Sequence, residues 1–181
     1  MNKNIEKEYK VLLTKEQFEK LLSNYPNAEF KMQCNTYYDT DTHCIQEKKG
    51  AMRIRQIHDK FIFTLKMHSN EGLLEFEKEV SENSLNAFQD LEIQNLLDKF
   101  HISGNLIELT TLCTKRATIE TELAEICFDI SSYNGCTDYE IEYEYKKEHD
   151  GLSIFQDILK DIQITYTSNC KSKIQRALES F

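Results

Sequence analysis

Charged residues recur at every second position in several short segments of this 181-residue chain. Glutamates occupy alternate positions in "IEKEYK", "LLEFEKEV" and "DYEIEYEY", and arginines do so in "RIR". Carboxylates that cluster on one face repel one another unless divalent cations bind them, and hard oxygen ligands suit Mg²⁺ or Mn²⁺. Arginines and lysines facing them would bind an anion with several phosphates, with the metal bridging the two. The residue types therefore predict a site for a metal-bound polyphosphate.

The alternation predicts that these segments are β-strands. Successive side chains of a strand point to opposite faces, so Glu6, Glu8 and Lys10 share one face of the opening strand, and mostly apolar residues share the other. Arg53 and Arg55 share a face in the same way. For any one strand, an open sheet with its polar face in solvent gives the same pattern. Blocks of one charge sign, together with amphipathic helices available to cover the apolar faces, favour a sheet rolled with its charged faces inward.

Hydrophobic spacing and capping signals place helices between the strands. The segment "TKEQFEKLLSNY" begins with Thr14 and has Gln17 three residues on, which is a capping-box pattern. Residues 81–100 are predicted to form one helix, and further helices are predicted near residues 152–160 and in "NCKSKIQRALESF". With about eight strands in hairpin order, the pattern predicts an α+β fold whose antiparallel sheet is closed or nearly closed.

The composition limits the classes of protein that fit. With one proline and five glycines, the chain has no segment with the composition of a linker, so a single domain over residues 1–181 is expected. No stretch approaches the roughly 18 apolar residues that a membrane span needs, which predicts a soluble, cytoplasmic protein with no membrane partner. A net charge of −9 argues against a nucleic-acid polymer as a partner. Six cysteines without a CxxC pair favour reduced thiols over a disulfide framework or a zinc site.

In their order along the chain, these residues resemble the CYTH-domain proteins, a branch of the triphosphate tunnel metalloenzymes. Glu6, Glu8 and Lys10 match the ExExK signature of that family, and the elements "YYDT", "RIR", "TLK" and "DYEIEYE" follow as in its bacterial members. ExExK alone is a weak signal, whereas the ordered set extends over nearly the whole chain. The resemblance implies an eight-stranded antiparallel β-barrel, open as a tunnel, with helices packed on the outside.

The resemblance also implies a role for each charged position. The metal ligands would be Glu6, Glu8, Glu140 and Glu142. The residues that bind the phosphate chain would be Lys10, Arg53, Arg55, Lys66 and Arg116, with Lys173 reaching the site from the terminal helix. In catalysis, either a metal held by a carboxylate such as Glu8 or the ammonium of Lys10 would position the attacking water. Asp129, Glu75 and Glu77 are either metal-associated or partners that orient the cations, and Glu144 is left without a role.

Two of these positions leave a choice of residue. Arg116 follows Lys115, so a shift of one residue in the strand register would exchange them. On the terminal helix, Lys171 and Arg176 are alternatives to Lys173, because a solvated basic face is common on such helices.

The predicted activity is hydrolysis of a small molecule that contains a triphosphate, inorganic tripolyphosphate first, with Mg²⁺ or Mn²⁺ as the cofactor. Cyclisation of ATP to cyclic AMP and pyrophosphate, as in the class IV adenylate cyclases of the family, is the first alternative, although the sequence identifies no adenine pocket. Thiamine triphosphate hydrolysis and non-catalytic binding of a polyphosphate or nucleotide are the others. The outward Tyr139, Ile141 and Tyr143 need a cover from a helix or a second subunit, so both a monomer and a homodimer are expected possibilities.

Overall fold

The computed structural model describes residues 1–70 and 72–181, which fall into two compact units. The first unit comprises Met1–Glu6 and Gln33–Leu112, and the second comprises Lys7–Met32 and Cys113–Phe181. The strands are β1 (Asn2–Glu6), β2 (Glu8–Leu13), β3 (Phe30–Thr40), β4 (Ala51–Ile57), β5 (Lys60–Ser69), β6 (Gly72–Val80), β7 (Leu106–Glu120), β8 (Ala124–Tyr133) and β9 (Cys136–Tyr145). The helices are α1 (Lys15–Leu22), α2 (Cys44–Glu47), α3 (Leu91–Lys99), α4 (Gly151–Lys160) and α5 (Lys173–Glu179), with a 3₁₀ helix at Leu85–Gln89.

The first unit contains a sheet with the strand order β1-β6-β5-β4-β3-β7, and its pairs from β1 to β3 are antiparallel. One face of this sheet buries Ile54, Phe63 and Leu65 against Phe88 of the 3₁₀ helix and Ile93 of α3. Because side chains alternate along a strand, the residues on either side of Ile54 point to the opposite face. The packing of the apolar core therefore puts the two arginines of β4 on the other side of the sheet.

The second unit contains the strand order β7-β8-β9-β2, with each pair antiparallel. Its core packs Phe128 and Ile141 of the sheet against Phe18 of α1 and Phe155 of α4. Thr14 and Gln17 form the predicted capping box at the start of α1. Burial of these apolar side chains under α1 and α4 leaves the opposite face of β8 and β9 to their acidic residues.

The opening strand differs from its prediction, because the chain changes its strand partner at Lys7. Residues before Lys7 form β1, which pairs with β6, and residues after it form β2, which pairs with β9. The Lys7 carbonyl accepts a hydrogen bond from the backbone N–H of Tyr145. The described residues therefore contain nine strands where the sequence predicted about eight. Alternation of side chains cannot reveal such a change, since it continues unbroken along the chain.

The single helix predicted over residues 81–100 is wrong. Asp90 is extended, with φ −61° and ψ 127°, and its carboxylate accepts hydrogen bonds from the N–H groups of Glu92 and Ile93. It is therefore the N-cap of α3, and the segment before it is the short 3₁₀ helix. Leu85 and Leu91, two residues of the stripe that suggested one helix, are 46% and 74% exposed.

The cysteines depart in part from the expectation of reduced thiols. Cys44, Cys127, Cys136 and Cys170 are free. Cys34 and Cys113 are each disulfide-bonded. The expectation is therefore wrong for these two residues.

None of the helices within residues 1–70 and 72–181 has the length and apolar character needed to cross a membrane.

Candidate functional site

Three carboxylates of the second unit converge on one point. Asp129 of β8 lies opposite Glu140 of β9, and Glu142 follows two residues further along β9 on the same face. One oxygen from each lies within 4.8 Å of the others, and the side chains are buried. A converging set of hard oxygen donors is suited to a divalent cation such as Mg²⁺, so the chemistry of these residues fits a metal ion.

The ammonium of Lys173 lies among these three carboxylates. Its Nζ is 2.8 Å from Asp129 Oδ2 and 2.5 Å from Glu142 Oε1, and it also pairs with Glu140 Oε1. Lys173 is the first residue of α5, where Ser172 and Gln175 form a capping box. The start of the helix therefore fixes the position of the lysine, and its single positive charge lies where the carboxylates converge.

Two arginines bind the carboxylate oxygens that face away from Lys173. Arg116 donates from Nε to Asp129 Oδ1 at 2.7 Å, and its Nη2 donates to Glu142 Oε2. Arg176 of α5 donates from Nη1 to Glu140 Oε2 at 2.8 Å, and its Nε donates to Asp138 Oδ2 at 2.8 Å. The inner oxygens therefore meet the lysine and the outer oxygens meet arginines, while Asp129 Oδ2 meets both Lys173 and Arg116 Nη2.

Burial and this pairing shift the pKa values of the cluster in opposite directions. Burial raises the pKa of Glu140 above its ordinary value, although Lys173 opposes the shift. Burial also works against ionisation of Glu142, but Arg116 and Lys173 outweigh it and hold its pKa well below the ordinary value. The same two cations lower the pKa of Asp129. Lys173 and Arg116 are held protonated, since the neighbouring carboxylates outweigh the desolvation of each and raise its pKa.

Lys10 and Glu8 of β2 form an ion pair beside the cluster. The Lys10 ammonium donates to Glu8 Oε1 at 2.6 Å, and Lys10 lies opposite Glu142 in the β2–β9 register. Burial works against its charge, but Glu8 and Glu142 raise the pKa of Lys10 above the ordinary value. Lys10 is therefore a charged hydrogen-bond donor at neutral pH, and it cannot act there as a general base.

In the first unit, the predicted site residues pair on the charged face of the sheet. Lys66 Nζ is 2.5 Å from Glu6 Oε1 and 3.5 Å from Glu75 Oε1, and Arg55 Nε donates to Asn35 Oδ1 at 3.1 Å. Within the described part of the chain, Glu6 Oε2 and the Nε of Arg53 are buried without a hydrogen-bond partner. These two atoms can accept or donate further bonds, to a cation and an anion respectively.

The structure brings together several of the residues singled out in the sequence. Within the second unit, Glu140, Glu142, Arg116 and Lys173 form one cluster, with the Glu8–Lys10 pair beside it. Within the first unit, Glu6 meets Lys66, Arg53 and Arg55 lie on β4, and Glu77 accepts a hydrogen bond from Thr64. The assignment of each residue to metal or phosphate stays a prediction.

Sequence reasoning did not give a definite role to three contributors to the cluster. Asp129 was left between two roles, a metal-associated residue or a partner of the cations, although it is fully buried and contacts both Arg116 and Lys173. Arg176 was only an alternative to Lys173, and Cys170 was not considered, although its Sγ lies 3.2 Å from Glu140 Oε2. The one available signal was the spacing of Lys173 and Arg176, since residues three apart share a helix face.

Comparison with known proteins gives one family. The CYTH domain family matches residues 4–178. A Bacillus subtilis (strain 168) protein named "Putative triphosphatase YjbK" is 36% identical over 185 residues, covering 99% of this chain and 97% of that protein. The solved structure of a "putative adenylate cyclase" from Bacillus halodurans is 37% identical, with a TM-score of 0.87, and the match covers 97% of this chain and 98% of that one.

A more distant solved structure has the same fold. This structure is HpAC1 from Hippeastrum, which is named a "putative adenylyl cyclase" with a dominant triphosphatase activity. It is 21% identical with a TM-score of 0.75, and the match covers 97% of this chain and 96% of that one. The predicted fold class, an antiparallel α+β fold with helices outside the sheet, is confirmed by these likenesses. The chain belongs to the CYTH domain family.

Proposed function

We propose that this protein hydrolyses a triphosphate, with inorganic tripolyphosphate as the first substrate, in a reaction that depends on Mg²⁺ or Mn²⁺. The observation that carries the proposal is the convergence of Asp129, Glu140 and Glu142. Burying three carboxylates costs folding free energy, whereas their converging oxygens are suited to binding a divalent metal ion. The relative YjbK, similar over nearly the whole chain, is named a "putative triphosphatase", which supports the same reaction.

The residue roles follow from charge and protonation. The metal ligands in this proposal are Glu6, Glu8, Glu140 and Glu142, to which the geometry adds Asp129. The phosphate-binding residues are Lys10, Arg53, Arg55, Lys66, Arg116 and Lys173. A bound divalent ion would supply charge stabilisation and an activated water. Lys10, which Glu8 holds and keeps protonated, donates hydrogen bonds to a phosphate oxygen or orients the water, and the arginines bind the phosphates that are not transferred.

Cyclisation of ATP is the second candidate reaction. The Bacillus halodurans structure named a "putative adenylate cyclase" is 37% identical to this chain, which is the observation that favours cyclisation. The two reactions use the same metal and phosphate contacts, but in cyclisation the ribose 3′-oxygen attacks the α-phosphorus. Their products therefore distinguish them, since hydrolysis releases orthophosphate and cyclisation releases cyclic AMP with pyrophosphate.

The first experiment incubates the purified protein with tripolyphosphate, ATP or thiamine triphosphate, each with Mg²⁺, Mn²⁺ or EDTA. We expect metal-dependent orthophosphate release, fastest from tripolyphosphate. Cyclic AMP as the main product from ATP would replace the proposal with the cyclase reaction. Binding of tripolyphosphate without turnover under any metal would leave a binding protein and end the hydrolase proposal.

A pair of variants tests the site within that assay. Glu8→Gln removes the negative charge that pairs with Lys10 while keeping the side-chain shape, and we expect turnover to fall by about a hundredfold or more. Glu19→Gln is the matched control, because Glu19 is an exposed glutamate of α1 whose side chain is 62% accessible. Equal turnover in the two variants, with both folded by circular dichroism, would contradict the role of Glu8.

The cellular setting is also a proposal. We propose a cytoplasmic protein that is a monomer or a homodimer and has no nucleic-acid polymer as a partner. The four free cysteines support a reducing compartment, while the bonded Cys34 and Cys113 weigh against it. Cell fractionation with an antibody against this chain checks the compartment, and light scattering of the purified protein gives the oligomeric state.

A further inference from the structure

Glu140 differs from the other two carboxylates of the cluster in what binds its outer oxygen. Arg116 serves both Asp129 and Glu142, and it is itself a predicted phosphate-binding residue. The outer oxygen of Glu140 accepts instead from Arg176 Nη1 at 2.8 Å and from the Cys170 thiol at 3.2 Å. Neither donor has a place in the proposed reaction. Their structural effect is therefore on Glu140, whose outer oxygen they bind.

Arg176 is held too firmly to be a solvated surface cation. It is 9% exposed, its Nε donates to Asp138 Oδ2, and its Nη1 also donates to the carbonyl of Lys171. Asp138 and Glu140 lie two residues apart on one face of β9, so the guanidinium fork connects both to α5. Tyr133 donates to the same oxygen of Asp138 and completes the attachment. Two of the three guanidinium nitrogens, Nε and Nη1, are held in this way, while Nη2 is buried without a partner in the described residues, and Nη1 fixes Glu140 in turn.

Only the inner oxygen of Glu140 faces the point where the carboxylates converge. Oε1 meets Lys173, whereas Oε2 has two donors on the far side. A cation that replaced the ammonium of Lys173 would find one oxygen of Glu140 available and the other engaged. Releasing Oε2 for a second metal bond would break two hydrogen bonds to a charged oxygen, one from Arg176 Nη1 and one from the half-buried Cys170 thiol. Nη1 would keep the Lys171 carbonyl as an acceptor, but the loss of its bond to the carboxylate is costly.

The number of oxygens that a carboxylate offers affects which cation is preferred. Ca²⁺ takes about six to eight oxygens in a flexible arrangement and readily accepts both oxygens of one carboxylate. Mg²⁺ requires near-octahedral geometry at about 2.1 Å, and it usually binds through one or two carboxylates and keeps several waters. A glutamate restricted to one oxygen therefore favours Mg²⁺, or the similar Mn²⁺, over Ca²⁺.

We infer that Arg176, assisted by Cys170, restricts Glu140 to a single metal-binding oxygen and thereby makes the site select Mg²⁺ or Mn²⁺ against Ca²⁺. Arg176 is a positioning residue in this scheme, since it acts only through Glu140. The inference rests on the proposed function, because it takes the carboxylate cluster as the metal site. It adds a determinant of metal choice that lies outside the set of metal ligands.

The test measures metal binding directly, without substrate, by isothermal titration calorimetry of the full-length protein with Mg²⁺, Mn²⁺ and Ca²⁺. Arg176→Lys keeps the positive charge but loses the fork, so we expect the Kd for Mg²⁺ to rise about tenfold while the Kd for Ca²⁺ stays the same or falls. Cys170→Ala removes the weaker donor, and we expect the same change in the ratio of the two Kd values, but a smaller one. Lys171→Met is the matched control, because the Lys171 side chain pairs with the exposed Glu179, and its backbone carbonyl, which Arg176 contacts, is unchanged by the substitution.

A second control tests whether the change in metal preference comes from freeing the outer oxygen of Glu140 or from losing a contact between α5 and β9. Lys173→Met removes the competing ammonium from the inner oxygens and leaves Oε2 bound to Arg176. We expect Mg²⁺ and Ca²⁺ both to bind more tightly, by similar factors, so their ratio is unchanged. If Arg176→Lys and Cys170→Ala left the ratio unchanged, or if Lys173→Met changed it as much as Arg176→Lys, the inference would be overturned.

A spectroscopic measurement covers the case in which Arg176→Lys does not fold. In the wild-type protein, the separation of the symmetric and antisymmetric carboxylate stretches in the infrared spectrum distinguishes one-oxygen from two-oxygen binding when Mg²⁺ is added. Loss of the signal in Glu140→Gln assigns it. Two-oxygen binding by Glu140 would overturn the inference alone, whereas a wild-type protein that bound no divalent cation would overturn it together with the proposed function.

Discussion

The charged residues of the two units are paired in different ways. In the second unit, Lys173 contacts three carboxylates at once, and arginines take the remaining oxygens. In the first unit, Lys66 contacts Glu6 and Glu75, while Glu6 Oε2 and Arg53 Nε lie buried without a partner in the described residues. In the second unit every oxygen of the three carboxylates has a donor, although Arg176 Nη2 is also buried without a partner in the described residues. In the first unit, a carboxylate oxygen and a guanidinium nitrogen of predicted site residues lack partners.

This difference shows how carboxylates and basic side chains can favour the binding of a cation in one unit and of an anion in the other. A filled cluster of carboxylates around a cation is ready to exchange that cation, because its oxygens are already gathered and oriented. Unpartnered buried donors favour the arrival of an anion, since each new bond recovers part of the desolvation cost. The comparison therefore predicts that substitutions of the three clustered carboxylates in the second unit act mainly on metal binding, and those at Arg53 mainly on substrate binding.

The largest expected effect is at Glu142. Glu142→Gln should reduce metal-dependent tripolyphosphate turnover by about a thousandfold and the free energy of unfolding by about 3 kcal/mol, since it leaves Arg116 and Lys173 buried with less compensating charge. Glu75→Gln in the first unit is the matched variant, because Glu75 lies 3.5 Å from a single lysine. Phosphate release and urea unfolding measure both quantities. Equal losses in the two variants would remove the distinction between the units.

Arg53→Lys should separate substrate binding from metal binding. We expect the KM for tripolyphosphate to rise about tenfold, because lysine lacks the planar fork that binds two phosphate oxygens. The Kd for Mg²⁺ in the absence of substrate should stay within about twofold of the wild type. Lys60→Arg is the control, since Lys60 is an exposed residue of β5 paired at 3.8 Å with Glu79. A changed metal Kd with an unchanged KM would reverse the assignment of the first unit.

Addition of metal should affect the two units unequally. The ammonium of Lys173 and a divalent cation compete for the same inner oxygens, so Mg²⁺ should weaken the contact of α5 with β9. We expect faster amide hydrogen exchange in residues 173–179 when Mg²⁺ is added, and unchanged exchange in α3 of the first unit. Protection of α5 that increases with Mg²⁺ would show that Lys173 and the metal do not compete.

The smallest effects are expected at two helix caps. Ser172 caps α5 and Asp90 caps α3, so Ser172→Ala and Asp90→Ala should each lower the free energy of unfolding by about 1 kcal/mol. Only Ser172→Ala should also change the Kd for Mg²⁺, because α5 carries Lys173 and Arg176. Chemical denaturation and calorimetry measure the two quantities, and a shift in metal affinity with Asp90→Ala would argue against independent roles.

The sequence predicts those parts of the molecule in which local pattern decides the structure. Alternation identified the strands, and the spacing of Thr14 and Gln17 identified a capping box that the structure contains. The break at Asp90 was missed, because the apolar spacing of Leu85 and Leu91 continues through it although both side chains are exposed. Periodicity reports where apolar residues stand, but a cap depends on which backbone groups need a partner.

The candidate site shows the same limit at longer range. Glu140, Glu142 and Lys173 could be singled out by type and order, whereas the function of Arg176 depends on how α5 packs against β9, more than 30 residues away in the chain. Cys170 is invisible to pattern for the same reason, since only its contact with Glu140 distinguishes it. The roles of Arg176 and Cys170 depend on contacts between distant segments, which the local sequence pattern does not reveal.

The ammonium of Lys173 has a consequence for how the protein is made. Many small metal-binding domains stay unfolded until their ion arrives, so their yield depends on the supply of that ion. Here the chain carries its own counter-ion, tethered by covalent bonds and present from the end of synthesis. A newly made molecule can therefore gather these carboxylates before any divalent cation binds, so its folding does not depend on the supply of that cation.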